Sequence, residues 1–332
     1  MNIKTVSLKD YSSLRIGGEG KLVEVETVEQ LKEAVMHAKT LGLRVHALGE
    51  GTNSYFAEDV SSFLFLKLNL LGFSFEELGD TQVRFTISAS ENWDEMVQVA
   101  VREKLWGIEN LSYIPGSVGA APVQNIGAYG AELSNVLETV SVLDGTDMEV
   151  KQLSREDCRF GYRDSIFKYD KGRYIILSIT LILSKRGVPI RTYRPLDTLA
   201  ETARIEEVRE LVIKTRAAKL PDWKEYPNAG SFFKNPHVDL PVAENLHMLD
   251  QSIPLIQVMG GYKVPAAWLI EHIAEMKGVR KGDLGTWPLQ PLVIVNYGTA
   301  TADDIDAFAG EIVAKVNEKT GVVLEQEVNR VG

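Results

Sequence analysis

A single cysteine, Cys158, occurs in the 332 residues. One thiol excludes an internal disulfide framework and any metal cluster built on cysteines. Histidine is nearly as scarce: His37, His46, His237, His247 and His272 never fall at a ligand spacing such as His-x3-His, so no metal site is expected. Long apolar runs are missing too. The most apolar window, "FLFLKLNLLGF", is broken by Lys67 and Asn69, and the opening "MNIKTVSLKDYSSLR" carries no signal-peptide core; a cytoplasmic chain without a membrane partner is expected. Positive charge is in deficit, with a formal balance of −10. Nucleic acid is therefore a poor partner, because a phosphate footprint needs clustered lysine and arginine. An acidic small ligand would need a local basic pocket.

What is present is the composition of a soluble globular protein, 45% apolar and 25% charged, with length for two or three packed cores. "KLVEVET" alternates as a strand. Thr27 and Gln30 have capping-box spacing before "VEQLKEAVMHAK", where Leu31, Ala34, Val35 and Ala38 form one apolar face and Gly42 stands at the end. "LRVHAL" completes a β-α-β unit. Strands are expected at 63–70 and 82–90 and a helix at 92–105, followed by "TVSVLDG" and "RYIILSITLILS" as strands. From about Lys219 the texture changes, with Pro221, Pro227, Pro236, Pro241 and Pro254 punctuating short segments. Helices are expected at "PAAWLIEHIAEMKG" and at "TADDIDAFAGEIVAKVNEKTG", where Thr301 caps a stripe of Ile305, Phe308, Ile312 and Val316, and the tail "VVLEQEVNRVG" reads as a strand.

Chemistry could sit at several places. "GEGTNS" (49–54) directly follows a strand; its glycines permit close backbone approach to a phosphate, or they make a plain β-turn. A third glycine that would complete a dinucleotide fingerprint is absent. "IPGSVGAAPVQNIGAYG" (114–130) is a long loop of small residues, suited to lying flat against a large planar ligand. In "CRFGYRDSIFK", Arg163 either holds a carboxylate through its planar fork or is solvated or paired with Asp164. In the tail, strand alternation would place Glu325 and Glu327 on one face, about 7 Å apart; a buried carboxylate there would need a partner or a raised pKa. Ser231 in "NAGSFFKNP" is either a placed hydroxyl or an ordinary turn residue.

These stretches, with "KLPD", occur in the order and near the spacing of the UDP-N-acetylenolpyruvoylglucosamine reductase family, first subtype, which the chain resembles over nearly its full length. The resemblance implies an α+β chain with an FAD-binding fold of the vanillyl-alcohol-oxidase/PCMH type. Two α+β subdomains, 1–68 and 69–219 with 321–332, would be joined by a separate α+β substrate-binding domain at 220–320. The implied reaction is NADPH-driven reduction of UDP-N-acetylglucosamine enolpyruvate to UDP-N-acetylmuramate in peptidoglycan precursor synthesis, with hydride from the flavin N5. A monomer is expected.

Carried over by position, Gly49, Glu50, Gly51, Thr52, Asn53 and Ser54 would contact the FAD pyrophosphate and ribityl chain. Pro115, Gly116, Ser117, Gly119, Ala120, Gln124, Gly127 and Tyr129 would line the flavin, Tyr129 also facing substrate. Arg163 would grip the enolpyruvyl carboxylate, Ser231 would supply the proton, and Glu327 would help polarise the enolate. Tyr193, Lys219, Asn235 and Gln290 would hold the substrate's phosphates and sugar. The chain departs from the family at "RTYRPL", where Gly-Asp usually follows the tyrosine, at Trp287, where histidine is common, and at "AAPV" in place of "SSPI". Two other readings share the fold: another FAD-linked oxidoreductase, or a non-catalytic nucleotide-sugar-binding protein.

Overall fold

The computed structural model describes residues 1–169 and 172–332. The chain forms two compact units, each assembled from separated segments. The first comprises Met1–Val6, Gly20–Glu50 and Ser61–Ala218; the second comprises Ser7–Glu19, Gly51–Val60 and Lys219–Gly332.

In the first unit the β-α-β reading holds. Glu19–Val25 and Arg44–Leu48 both pair in parallel with Phe63–Leu68, and the helix Val28–Thr40 connects two of these strands. Thr27 caps that helix by accepting from the Gln30 amide at 3.2 Å, and the Gln30 side chain in turn accepts from the Glu26 amide at 2.8 Å. Leu31, Ala34, Val35 and Ala38 are buried against Val23, Val25, Leu64 and Leu66. A second, antiparallel sheet follows in the order Glu149–Ser154, Leu137–Asp144, Tyr174–Ser184, Gln82–Ser88, Phe73–Leu78. Helix Trp93–Arg102 buries Trp93, Met96, Val97, Ala100 and Val101 in the core of this sheet. A further helix, Ile205–Ala217, is tied to it by Arg209, whose guanidinium donates to both carboxylate oxygens of Asp94 at 2.7 and 2.9 Å.

The second unit has a four-stranded sheet in the order Asn228–Ser231, Gln290–Asn296, Leu284–Trp287, Arg280–Lys281, and the helix Ala302–Thr320. Thr301 and Asp304 form a reciprocal capping box, and Ile305, Phe308, Ile312 and Val316 are buried as expected. Leu14, Ile16 and Tyr55 join the same core, so the short segments 7–19 and 51–60 are integral to this unit. Residues 321–332, expected to return to the second FAD subdomain, lie here as well, with Asn329–Val331 pairing in parallel with Ser54–Phe56.

Two expected elements differ. The helix at 265–278 is reduced to Ala266–Trp268 followed by a π-turn at Leu269–Ile273. The tail is a strand only at Asn329–Val331, preceded by an isolated bridge between Gln326 and Phe233. Among the described residues no helix is long and apolar enough to cross a membrane.

Candidate active site

Within the first unit, Arg163 is positioned by three side-chain clamps between the turn 158–165 and the loop 114–130. Asn125 Nδ2 donates to the Gly161 carbonyl at 3.1 Å, Ser165 Oγ donates to the Val123 carbonyl at 2.6 Å, and Arg163 Nη2 donates to the Gly127 carbonyl at 2.5 Å. Asp164, the alternative partner considered from sequence, instead accepts from the Tyr169 hydroxyl at 2.7 Å. Asn125, at 1% exposure, also accepts from the Ser134 amide at 3.0 Å and donates to Glu132 at 2.9 Å, so one side chain sets the path of the loop.

The backbone here is strained. Tyr113, Asn125, Tyr129 and Arg163 all have φ between +44° and +60°, a region that costs a residue bearing Cβ about 1–2 kcal/mol. The loop itself is less formless than its sequence implies: Val118–Gln124 is a 3-10 helix, with Val118, Ala121 and Pro122 buried. Burial raises the pKa of the Tyr129 phenol, and a nearby Arg216 guanidinium opposes that shift. Tyr193 is 44% exposed and its loop runs beside the Tyr129–Gly130 corner, because a Cβ at Gly130 would stand 3.1 Å from the Tyr193 ring. Of the altered residues after Tyr193, Arg194 is exposed and Pro195 half-buried; Leu196, which follows them, is fully buried against Val208 and Val212.

Gly49 and Glu50 belong to this unit. Lys67 Nζ donates to the Gly49 carbonyl at 3.1 Å, and Asn92 Nδ2 donates to Glu50 Oε1 at 2.9 Å. The remainder of "GEGTNS" belongs to the second unit, where Gly51 has φ +66° and a Cβ would stand 1.9 Å from the Tyr11 carbonyl oxygen. Only glycine fits there.

In the second unit the strand Asn228–Ser231 and the segment 232–234 that follows it organise the surroundings of Ser231. Asn228 pairs with Val295, yet Ser231 pairs with Val293, so one extra residue is accommodated at Gly230, whose φ is +71°. Asn228 builds this bulge by accepting from the Gly230 amide at 2.9 Å and donating to the Tyr226 carbonyl at 2.7 Å. Bulges re-aim the side chain that follows, and the side chain re-aimed here is Ser231. On the other edge of the same segment, the Glu327 amide donates to the Phe232 carbonyl at 2.8 Å and the Lys234 amide to the Glu325 carbonyl at 2.9 Å. Ser231 and Glu327 thus lie on neighbouring stretches of chain joined by the isolated bridge between Phe233 and Gln326. Asn53 joins them, its Nδ2 donating to the Glu327 carbonyl at 3.4 Å.

Burial separates the two tail glutamates. Glu325 has 71% of its side chain exposed and is ion-paired with Lys234, whereas Glu327 is half-buried. Asn235 accepts from the Ala266 amide at 2.9 Å and Gln290 from the Leu292 amide at 3.4 Å, while Lys219 is exposed. Trp287 packs on Tyr226 with ring centroids 4.9 Å apart, and its indole N–H is buried without a hydrogen-bond acceptor.

Two family models match the chain: the C-terminal domain of UDP-N-acetylenolpyruvoylglucosamine reductase over residues 222–331, and an FAD binding domain over residues 21–153. The UDP-N-acetylenolpyruvoylglucosamine reductase of Salmonella typhimurium is 39% identical, covering 99% of this chain and 96% of its own. The chain belongs to this reductase family. The relative from Pseudomonas aeruginosa is 38% identical over 97% of each chain. The crystal structure of the reductase from Thermus caldophilus superposes with a TM-score of 0.69 at 26% identity, covering 100% of both chains. The fold is therefore the α+β FAD-binding architecture of the vanillyl-alcohol-oxidase/PCMH type.

The residues present in this reductase fit an FAD. A Cβ at Gly49 would stand 2.7 Å from Ser117 Oγ, and one at Gly119 2.7 Å from Ala89 Cβ, so both glycines allow a close approach of neighbouring segments where a side chain would block it. Asn110, buried beside them, donates to the Tyr129 carbonyl at 2.8 Å while its Oδ1 has no partner in the protein. Sequence reasoning missed Asn125, which sets the path of the loop from within the 114–130 motif.

Proposed function

We propose that this chain is a UDP-N-acetylenolpyruvoylglucosamine reductase, an FAD-dependent oxidoreductase that uses NADPH to reduce UDP-N-acetylglucosamine enolpyruvate to UDP-N-acetylmuramate during peptidoglycan precursor synthesis. It works in the cytoplasm as a monomer. The observation that carries the assignment is the bulge at Gly230, which aims Ser231 from the strand edge where the tail holds Glu327. That arrangement is unneeded by a protein that only binds nucleotide sugars.

When bound, FAD would supply the chemistry of hydride transfer from N5, after reduction by NADPH, to the terminal methylene carbon of the substrate. Everything else falls to the protein. The electron pair released from the double bond accumulates at the α carbon and spreads into the adjoining carboxylate. Arg163 neutralises that carboxylate, a contribution on the order of 10²–10³-fold if it resembles an oxyanion-hole donor. Ser231 delivers a proton to the α carbon, worth about 10²–10⁴-fold as general acid, and recovers one from solvent. Glu327 helps polarise the developing enolate. Gly49, Glu50, Gly51, Thr52, Asn53 and Ser54, with the loop 115–130, hold the cofactor. Tyr193, Lys219, Asn235 and Gln290 hold the phosphates and sugar.

The two half-reactions can be separated in a spectrophotometer. Without oxygen, NADPH should bleach the flavin and UDP-N-acetylglucosamine enolpyruvate should restore its colour. Ser231→Ala should bleach normally and fail to recover. Recovery at the wild-type rate would remove Ser231 from the chemistry, and a flavin that never recovers in the wild-type protein would mean the substrate is wrong.

A further inference from the structure

The tail that carries Glu327 is a regular strand only from Asn329 onward, so ladder pairing alone does not fix the direction of the Glu327 side chain. Side-chain contacts are needed. Val322, Leu324 and Val328 are buried while Val323 and Glu325 are exposed, which puts Gln326 in the inward register of the tail and Glu327 in the opposite one. The Gln326 side chain then straddles its neighbour: Nε2 donates to the Val328 carbonyl at 2.7 Å and to the Tyr55 hydroxyl at 3.0 Å. Both hydrogens of that amide nitrogen are used.

Tyr55 is fully buried, and its hydroxyl donates to the carboxylate of Asp306, which also accepts from Arg330. An ionised carboxylate only accepts, so the tyrosine is the donor there and its oxygen is left to accept from Gln326. Burial first, and then Asp306, raise the Tyr55 pKa and keep the phenol protonated. The hydrogen bonds thus run in one direction, from Gln326 through Tyr55 to Asp306.

A buried tyrosine hydroxyl needs a partner in any core, and Asp306 alone would meet that need. The other contacts of Tyr55 reach the site. Its ring lies beside Phe232, with centroids 6.2 Å apart, and Phe232 follows Ser231 in sequence and accepts the Glu327 amide on its carbonyl at 2.8 Å. Its hydroxyl holds Gln326, which precedes Glu327. One side chain therefore meets both the residue after the serine and the residue before the glutamate.

We infer that Tyr55 and Gln326 are positioning residues that fix the carboxylate of Glu327 relative to Ser231 for the protonation step. The inference rests on the functional reading above, in which those two groups act at the α carbon, and extends it to what holds them in register. Neither Tyr55 nor Gln326 would act on the substrate itself; their effect is on geometry, to which a proton transfer is sensitive.

The half-reactions of the FAD-loaded protein, followed by stopped flow, test it, because flavin reduction by NADPH needs no proton at the α carbon and reoxidation by UDP-N-acetylglucosamine enolpyruvate does. Tyr55→Phe keeps the ring and removes the hydroxyl. It should bleach within about twofold of the wild-type rate and reoxidise about 10-fold more slowly, the scale of one lost hydrogen bond, with the substrate concentration for half-maximal reoxidation unchanged. Gln326→Met should do the same, and carries the comparison should Tyr55→Phe fail to retain FAD. In a Glu327→Gln background Tyr55→Phe should cost nothing further, since an effect exerted through Glu327 does not add to its loss; a residue that only stabilises the fold would slow both backgrounds alike. Equal slowing of both half-reactions, an unchanged oxidative rate, or the same loss in the Glu327→Gln background overturns the inference and leaves the reductase assignment standing. Reoxidation of Glu327→Gln itself at the wild-type rate removes Glu327 from the chemistry and the inference with it, whereas a wild-type flavin that this substrate never reoxidises overturns the assignment as well.

Discussion

Gly51 and Gly230 share a positive φ but differ in what surrounds them. Space beyond the Gly51 backbone is filled by the Tyr11 carbonyl, whereas nothing lies within 4 Å of a Cβ at Gly230. Gly51→Ala should therefore lower the thermal midpoint far more than Gly230→Ala, for which the backbone conformation alone costs about 1–2 kcal/mol. The smaller loss should still disturb activity, because the strained bulge is what aims Ser231. A differential melt on both variants, with the oxidative half-reaction measured on the second, checks each part. Cys158 offers a third residue-scale expectation. Burial pushes its thiol up to about 12, so iodoacetamide at pH 8 should modify the unfolded chain and spare the native one; labelling of native protein would contradict that burial.

At the scale of elements, the helix Ile205–Ala217 is held to Trp93–Arg102 through one two-pronged contact. Arg209 is 8% exposed and its partner Asp94 also accepts from the Tyr113 amide. Arg209→Met should keep much of the packing and cost less than the roughly 3–5 kcal/mol of a broken, fully buried pair, because Asp94 is part-exposed and keeps the Tyr113 amide; the loss is readable as a shifted urea midpoint. This helix was not legible in the sequence, because its long polar face and adjoining basic turn obscure its three buried apolar residues, Ile205, Val208 and Val212. Val28–Thr40 and Ala302–Thr320 were legible, each having a side-chain cap and an unbroken apolar stripe. The edge strand Phe73–Leu78 escaped detection for a different reason. Five of its six residues are exposed, so no alternation marks it, and its existence depends on backbone pairing with Gln82–Ser88. In the tail, Val322, Leu324 and Val328 alternate as a strand should, and all are buried. Pairing is a property of the partner, however, and the segment 231–234 offers it only a short edge. The proposed site followed the same division: Arg163, Ser231 and Glu327 lie in local motifs, while the clamp that Asn125 makes on Gly161 and Ser134 became visible only through residues distant in sequence.

For the molecule as a whole, acid sensitivity should trace to one buried carboxylate. Arg173, and after it Lys151, hold the Asp144 carboxyl well below the usual range, and Asp144 is fully buried. A lowered folded-state pKa means that its contribution is complete above the unfolded value of about 3.9 and is lost as pH falls through the folded value. Urea midpoints should thus drop below about pH 4 in the wild type and drop less in Asp144→Asn. Cofactor acts in the opposite direction. FAD at about 100 times its dissociation constant should add roughly 2.7 kcal/mol, measurable as a rise in thermal midpoint over the stripped protein.

The interleaved segments have a consequence for synthesis on the ribosome. The chain passes from one unit to the other five times, at residues 6, 19, 50, 60 and 218. Ser54–Phe56 is made about 270 residues before its strand partner Asn329–Val331. Residues 7–19 and 51–60 must wait, apolar side chains uncovered, until the segment from 219 onward is translated. A nascent chain stalled before Asn329–Val331 would keep those segments open to chaperones and proteases, so reaching that strand is itself a checkpoint on the folded second unit.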